Sequence, residues 1–250
     1  MKLDNRVALV TGGGSGIGRA ICLSLGREKA SVVVADVNDV GARATAEAIA
    51  ADGGKVLAVR MDITSAAEVG RVVKQAGEHF GPIDVLVNNA GWDKVMPFMD
   101  TTEELWDKLI AINLKGHMVV TRAVLPGMIA RQYGKIVNIS SDAGRVGSSG
   151  EVVYSAAKAG LLGFTRALAR EMARYNITIN ALCPGPTDTP LFADIAKDTP
   201  RLAESLIRAI PMRRLARVQD IAAAAVFFAS RDSDYITGQT LSVSGGLSMV

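Results

Sequence analysis

The chain has 250 residues, of which 49% are hydrophobic, 21% charged and 5% aromatic, and this composition excludes disordered and fibrous proteins. Lysine and arginine exceed aspartate and glutamate by only 28 to 25, a scattered surplus that does not indicate a nucleic-acid-binding surface. Two cysteines and two histidines predict neither a disulfide framework nor a metal site, and no apolar run reaches the ~20 residues of a membrane span.

Strands are predicted where four to seven apolar residues run together without alternation, which is typical of strands buried on both faces. In chain order they are Val7 to Val10, Val32 to Ala35, Val56 to Val59, Ile83 to Val87, Ile136 to Ile139, Ile177 to Leu182 and Thr240 to Val243. Helical spacing predicts the intervening helices at Ile17 to Glu28, Gly41 to Ala51, Ala66 to His79, Thr102 to Ala111, Gly116 to Arg131, Val152 to Tyr175 and Gln219 to Ser230. This alternation predicts one α/β domain over residues 1–250, a doubly wound seven-stranded parallel sheet with helices on both faces.

A glycine-rich turn, Gly12 to Gly18, follows the first predicted strand and leads directly into a helix. Glycines let the backbone approach a pyrophosphate, and a helix N-terminus offers free N–H groups. The spacing fits neither G-x-G-x-x-G nor a P-loop. By itself the turn is therefore either a dinucleotide-binding turn or an incidental tight turn.

Asp36 ends the second predicted strand, about 20 residues beyond the glycines. A carboxylate there can bind a ribose diol and repel a 2′-phosphate, which favours NAD over NADP. The alternative is that Asp36 only caps the turn into Asn38 and Asp39.

Tyr154 and Lys158 are four residues apart, which places both side chains on one helix face. An ammonium near a phenol stabilises the phenolate, so we expect Lys158 to lower the pKa of Tyr154 and the pair to act as an acid and base. A lone Y-x-x-x-K is usually a solvated face. Here Ser141 and Asn88-Asn89-Ala90-Gly91 end neighbouring strands and favour the catalytic interpretation.

A late segment from Pro184 to Pro211 has no strand pattern and opens with proline, glycine and threonine. Ligands bind beyond the carboxyl ends of the strands in open α/β sheets. We therefore predict a substrate lid at about residues 186–211.

Taken in order and spacing, these motifs resemble the short-chain dehydrogenase/reductase family along the whole chain. The matching residues are T-G-x-x-x-G-x-G at Thr11 to Gly18, N-N-A-G at Asn88 to Gly91, Asn113 within I-N-L, Ser141, Tyr154 with Lys158, and Pro184-Gly185 with Thr189. The resemblance implies a single-domain Rossmann fold and a homotetramer whose interface includes the helix Val152 to Tyr175. Asp36 predicts NAD as cofactor, and two cysteines without a membrane span or a signal-peptide pattern predict a cytoplasmic location.

The same resemblance implies a role for each of four catalytic residues. Tyr154 is expected to be the base in alcohol oxidation and the acid in ketone reduction. Lys158 is expected to hold the nicotinamide ribose, Ser141 to hydrogen-bond the reacting oxygen, and Asn113 to hold a water. The implied cofactor-binding residues are Gly12, Ser15, Gly16, Ile17, Gly18, Asp36, Asp62, Ile63, Asn89, Ala90, Gly91, Tyr154, Lys158, Pro184, Gly185, Thr187 and Thr189.

Several stretches resemble a subgroup that oxidises a cyclic β-hydroxyacyl-CoA of the 2-hydroxycyclohexanecarboxyl-CoA type to the ketone. They are Gly91 to Phe98, Ser140 to Glu151, Cys183 to Thr189 and Thr237 to Leu247. Substrate contacts are then expected from Trp92, Asp142 and Arg145.

Arg145, or Arg213 and Arg214 near the predicted lid, is hypothesised to bind CoA phosphates, and each of these residues is equally well interpreted as a surface arginine.

Three alternatives stay open at the level of sequence. A 3-oxoacyl-carrier-protein reductase would use NADPH, which Asp36 opposes. Another secondary-alcohol dehydrogenase would share the same catalytic residues. A dinucleotide-sensing regulator would be expected to lack part of the set, which Ser141, Tyr154 and Lys158 oppose.

Overall fold

Seven parallel strands form one sheet in the computed structural model of the chain, which describes residues 1–198 and 200–250. Their spatial order is β3-β2-β1-β4-β5-β6-β7, so the predicted doubly wound parallel sheet is confirmed. The strands are β1 Val7–Thr11, β2 Ser31–Asp36, β3 Val56–Arg60, β4 Val85–Asn88, β5 Gly134–Ile139, β6 Ile177–Pro184 and β7 Thr240–Val243.

The described residues include ten α-helices, and the seven long segments predicted from sequence all lie among them. Predicted bounds agree within two residues except at the end of the longest helix, where a 3₁₀ turn follows Met172. The helices are α1 Gly16–Arg27, α2 Asp39–Ala51, α3 Ala66–Phe80, α4 Glu103–Ile110, α5 Gly116–Arg131, α6 Ala143–Val146, α7 Val152–Met172, α8 Pro190–Asp198, α9 Pro200–Ala209 and α10 Val218–Ala229.

Both faces of the sheet are covered, which explains why the strands are predominantly apolar. Along β1, Ala8 and Val10 belong to one hydrophobic cluster, while Val7 and Leu9 belong to the other. Successive side chains of a strand point to opposite faces, so a strand buried on both faces needs an apolar residue at every position. Every residue of β1 is buried.

The chain crosses the sheet between β1 and β4, because β2 and β3 lie on one side of β1 and the later strands on the other. The carboxyl ends of the strands at this switch point leave a crevice where ligands bind in open α/β sheets. Within the described residues, no helix is long and apolar enough to cross a bilayer.

Several of the helical elements were not predicted, and the short helix α6 is one of them. α8 and α9 lie in the segment that we predicted only as a strandless lid, and Thr199 of that segment lies outside the described residues. A π-helical turn at Ala111–Lys115 joins α4 to α5.

Candidate active site

A cavity of about 940 Å³ opens at the carboxyl ends of the strands. All of the predicted cofactor-binding residues line it, together with Ser141, Trp92 and Asp142. Leu191, Phe192 and Leu206 line it from α8 and α9. The structure therefore brings nearly the whole predicted site to one place, although these binding roles stay predictions.

The glycine turn after β1 packs too tightly against the chain for side chains at Gly12 and Gly18. Gly12 has a φ of +64°, and a Cβ there would lie 2.8 Å from the Cα of Ala90. A Cβ on Gly18 would overlap the carbonyl oxygen of Gly12. Ser15 precedes α1 without a side-chain hydrogen bond to the helix, so the first N–H groups of α1 keep their capacity to bind an anion.

The turn is tied to the loop after β4 by Thr11 and Asn89. The Thr11 hydroxyl accepts hydrogen bonds from the backbone N–H groups of Asn89 and Ala90, both at 3.0 Å. The side-chain Nδ2 of Asn89 donates to the carbonyl oxygens of Thr11 at 3.0 Å and Gly12 at 3.1 Å. These bonds fix the two walls of the cavity relative to each other.

Asp36 makes the turn contacts that one interpretation of its position predicted, and its binding of a ribose stays a prediction. One carboxylate oxygen accepts from the backbone N–H of Gly14 at 2.8 Å, and the other accepts from Asn38 at 2.9 Å. The side chain also lines the cavity, beside Val37 and close to Asp62 along the same rim. No lysine or arginine of β2, β3 or the segments that follow them lines the cavity among the described residues.

Lys158 is buried, at 3% exposure, and its Nζ donates to the carbonyl oxygen of Ile139 at 3.0 Å. Burial lowers its pKa to about 8, because desolvation disfavours the ammonium. The Nζ lies 5.6 Å from the ring centroid of Tyr154. Two of its three N–H groups are available to a ligand.

The pKa of Tyr154 is raised and not lowered as we expected. Burial raises the pKa of Tyr154, and the charges of Asp93 and Glu151 raise it further. Ser141, within hydrogen-bonding reach of the phenol, opposes this rise only in part. The phenol therefore keeps its proton at neutral pH.

Asn113 lies fully buried in the π-helical turn and uses its amide on the backbone. Its Nδ2 donates to the carbonyl oxygens of Trp92 at 2.7 Å and Leu109 at 3.0 Å, while its Oδ1 accepts from the N–H of Trp92 at 3.2 Å. Both amide N–H groups are thus occupied, and Asn113 does not line the cavity. Its direct effect is to position the loop at Trp92; the water that it was expected to hold stays a prediction.

Two of the three predicted substrate contacts line the cavity, and the third does not. Trp92 lines the cavity with the Nζ of Lys108 lying 3.8 Å above its ring. Asp142 also lines it, and its Oδ1 accepts from Ser242. Arg145 does not line the cavity, because its Nη1 donates to Ser242 at 2.8 Å. A contact of Arg145 with CoA stays a prediction.

His117 was not singled out from the sequence, yet it holds the loop after β4. It is fully buried, and its Nε2 lies 2.7 Å from the carbonyl oxygen of Ala90. Burial and the ammonium of Lys158 lower its pKa to about 3, so the ring is neutral and Nε2 donates to this carbonyl. The I-N-L motif four residues earlier was the only nearby signal.

Asp93 and Glu151 are the second group that sequence reasoning missed. Both lie near Tyr154, and the carboxyl group of Glu151 is within hydrogen-bonding reach of Asp93. Burial, and then Glu151, raise the pKa of Asp93 to about 8. The described residues contain no cluster of three or more side chains that could hold a metal ion.

Comparison with known proteins gives whole-chain matches. A family model described as "Enoyl-(Acyl carrier protein) reductase" matches residues 12–248. The (2S)-[(R)-hydroxy(phenyl)methyl]succinyl-CoA dehydrogenase subunit BbsD of Thauera aromatica is 40% identical over 249 residues, which cover 100% of this chain and 99% of that protein.

Two further proteins match almost the whole chain. The 3-oxoacyl-[acyl-carrier-protein] reductase FabG of Thermotoga maritima is 36% identical over 247 residues, covering 99% of each chain. A crystal structure of levodione reductase superposes with a TM-score of 0.94 at 34% identity and covers 98% of each chain.

Proposed function

The chain belongs to the short-chain dehydrogenase/reductase family, and we propose that it transfers hydride between NAD and the hydroxyl-bearing carbon of a β-hydroxyacyl-CoA. Membership makes it an oxidoreductase that uses a nicotinamide dinucleotide. The observation that carries the proposal is that Ser141, Tyr154 and Lys158 line the same cavity as the glycine turn.

The residues present fit such a cofactor. Side chains at Gly12 and Gly18 would clash with Ala90 and with the Gly12 carbonyl, so the turn needs glycine to pack this tightly, and the uncapped start of α1 offers N–H groups beside it. We propose that the seventeen cofactor-binding residues predicted from sequence hold it. When bound, the cofactor supplies the hydride acceptor or donor and, in its oxidised form, a positive charge beside the site.

Proton transfer is the part that the chain's own residues perform. Ser141 donates a hydrogen bond to the reacting oxygen, since its own oxygen already accepts from the N–H of Ala143 at 3.1 Å. Tyr154 gives a proton to that oxygen in ketone reduction and removes one in alcohol oxidation. Lys158 uses the two N–H groups that Ile139 leaves available to hold the ribose and to favour the phenolate.

We propose NAD rather than NADP because of Asp36. Its carboxylate lies on the cavity wall, held by the N–H groups of Gly14 and Asn38. A 2′-phosphate at this end of the cavity would face that negative charge without a lysine or arginine from β2 or β3.

A ring-bearing acyl-CoA is the substrate class that we propose, of the cyclic 2-hydroxycyclohexanecarboxyl-CoA type. Support comes from the apolar residues that line the cavity, which include Trp92, Val95, Val146, Leu191, Phe192, Leu206 and Leu247. The relative from Thauera aromatica is named for a substrate with a phenyl ring and a CoA ester.

A 3-oxoacyl-carrier-protein reductase is the second candidate. The description of the matching family model and the name of the Thermotoga maritima relative favour it. Asp36 opposes its expected use of NADPH. A regulator that binds a dinucleotide without turnover is opposed by the complete set of Ser141, Tyr154 and Lys158.

One set of activity assays distinguishes the acyl-CoA dehydrogenase, the carrier-protein reductase and the regulator. Purified protein is given NAD or NADP with a cyclic β-hydroxyacyl-CoA or a simple secondary alcohol, and NADH or NADPH with a 3-oxoacyl-carrier protein. We expect the highest kcat/KM with NAD and the cyclic thioester. A preference for NADPH and the carrier protein would support the second candidate, and tight NAD binding without any turnover would support the regulator.

The proposal also includes the domain organisation, the oligomeric state and the cellular location of the protein. We propose that residues 1–250 form one domain with a lid at about 186–211. This is supported by the seven residues of that segment that line the cavity, namely Pro186, Thr187, Thr189, Pro190, Leu191, Phe192 and Leu206. A homotetramer is supported by exposed small residues along α7, at Ala156, Ala159, Gly163 and Ala167. A cytoplasmic location is supported by two buried free cysteines, Cys22 and Cys183.

A further inference from the structure

Two carboxyl groups that the proposed mechanism does not use lie beside Tyr154. Asp93 follows the N-N-A-G motif by two residues, and Glu151 directly precedes α7. Both line a small cleft whose wall includes Tyr154, and Glu151 lines the main cavity as well. The pair therefore lies in the cleft whose wall includes Tyr154, at the edge of the main cavity.

The contact between the two groups requires a proton. Asp93 is 7% exposed, and among the described residues no donor forms a well-shaped hydrogen bond with either of its carboxyl oxygens. The carboxyl group of Glu151 is within hydrogen-bonding reach. Two ionised carboxylates have no donor to offer each other and repel, whereas one shared proton turns the same contact into a hydrogen bond.

Few other charges face the pair. Lys158 of α7 is the buried cation near Asp93, and it is already engaged with Ile139. Lys94 lines the cleft with an exposed side chain, and its N–H is the nearby backbone donor. The other described wall residues carry no charge: Met96, Phe98, Thr101, Leu105, Leu109, Gly150, Val152 and Val153.

The pair acts on Tyr154 by its charge. Asp93 and Glu151 both make the phenolate less favourable, and Cys183 of β6 acts in the same direction more weakly. With one shared proton the pair carries one negative charge, and without it the pair carries two. The second charge adds to the cost of the phenolate.

We propose that Asp93 and Glu151 share one proton and that this proton controls how readily Tyr154 gives up its own. The inference rests on the proposed function, because it concerns the proton that Tyr154 exchanges with the substrate oxygen. As pH rises, the shared proton leaves to solvent through the cavity that Glu151 lines. Alcohol oxidation is then slowed because it needs the phenolate, whereas ketone reduction keeps its protonated donor.

The first test is the pH profile of Asp93→Asn. The amide donates to Glu151 as a protonated Asp93 does, but it cannot ionise. At each pH, the kcat/KM of the variant for alcohol oxidation is divided by that of the wild type. We expect this ratio to rise about tenfold from about pH 6 to pH 9, because at high pH the pKa of Tyr154 should be about one unit lower in the variant. Asp100→Asn, which removes an exposed carboxylate in the same segment, is the control and should give a constant ratio.

A merely structural role for Asp93 would change activity by the same factor at every pH, and that outcome would overturn the proposal. Glu151→Gln replaces the other carboxyl group by an amide that cannot ionise. The ratio of its kcat/KM to the wild-type value should therefore show the same pH dependence.

The second test needs no turnover and uses wild-type protein. With ¹³C-labelled aspartate carboxyl groups, we expect one resonance to titrate above about pH 7 and to be missing from Asp93→Asn. A spectrum in which every aspartate titrates below about pH 5 would overturn the proposal. If the resonance titrates as expected while no hydroxyacyl-CoA is oxidised, the shared proton stands and the proposed function fails.

Discussion

Tyr154 shows how burial and charge together decide the state of one side chain. Desolvation and the nearby carboxyl groups oppose its phenolate, and Ser141 compensates only in part. A positive charge beside the phenol has the opposite effect, and the buried Lys158, 5.6 Å from the ring centroid, supplies one when it is protonated.

Removing the phenolic hydroxyl tests this role directly. We expect Tyr154→Phe to lower kcat by about 10²- to 10⁴-fold, the usual contribution of a positioned acid or base, while NAD affinity stays within about threefold. Steady-state kinetics and a fluorescence titration with NAD measure the two effects. Tyr235→Phe, on a fully exposed tyrosine, is the matched control and should leave both unchanged. Equal activity of the two variants would remove Tyr154 from the mechanism.

Asp36 should decide which dinucleotide the protein uses. Replacing its charge in Asp36→Asn keeps most of the side-chain volume but removes the repulsion of a 2′-phosphate. We expect the ratio of kcat/KM for NADP to that for NAD to rise by about 10- to 100-fold, as for the relief of one like-charge contact. Asp39→Asn, whose carboxylate pairs with Arg43 on the surface, is the control. An unchanged ratio in Asp36→Asn would show that other residues choose the cofactor.

At the scale of residues, the sequence predicts the groups that local spacing brings together. Tyr154 and Lys158 share a helix face by their spacing alone, and the structure places both on the cavity. The raised pKa of Tyr154 was not predicted, since spacing carries no information on burial. Asp93 and Glu151 were missed for a related reason: 58 positions separate them in the sequence.

The glycine turn and α1 form one structural unit, so substituting one of their glycines should affect NAD binding and stability more than substituting a glycine on an exposed helix face. A methyl group at Gly18 would overlap the Gly12 carbonyl, whereas one at Gly70, in the exposed middle of α3, would meet nothing within 4 Å. We expect Gly18→Ala to weaken NAD binding at least about tenfold and to destabilise the fold by about 1–3 kcal/mol. Gly70→Ala should stabilise it by about 0.5–1 kcal/mol, because alanine is the better helix former.

Calorimetric titration with NAD and urea unfolding measure these two effects. If Gly18→Ala bound NAD as well as Gly70→Ala does, the close approach at Gly18 would not matter for the cofactor.

The lid segment contains two helices that the sequence did not predict. A strandless segment at the sheet edge was predicted correctly, but α8 and α9 were not, although each begins with a proline, which is favoured at the first position of a helix. The π-helical turn before α5 also had no local signal. It places Asn113 under the loop of Trp92 through hydrogen bonds to backbone groups 21 residues away.

For the whole molecule, the sheet was the most predictable part. Strands buried on both faces must be apolar at successive positions, and that pattern is visible without any alignment. The order of the strands and the crossing between β1 and β4 depend on how the helices pack on each face, so the apolar pattern alone does not predict them.

Asp93 should also affect global stability, and the sign follows from proton uptake. Its pKa is 3.8 in the unfolded chain and about 8 in the folded one, so between these values the folded state binds the extra proton. Stability is therefore greatest below about pH 4 with respect to this group and falls as pH rises to about 8. We expect the Tm of Asp93→Asn, minus that of the wild type, to increase over this range and then level off.

Thermal unfolding followed by circular dichroism measures this difference, with Asp100→Asn as the control. A Tm difference that does not change with pH would mean that Asp93 is ionised in the folded protein at neutral pH.

Transfer of an isotope from substrate to cofactor tests the central proposal most directly. A cyclic β-hydroxyacyl-CoA carrying deuterium on the carbinol carbon is incubated with NAD and the protein, and the NADH is analysed by mass spectrometry. We predict NADH that carries one deuterium, formed by the wild type and nearly lost in Tyr154→Phe. Full-length, NAD-binding protein that forms no deuterated NADH from this substrate would contradict the account.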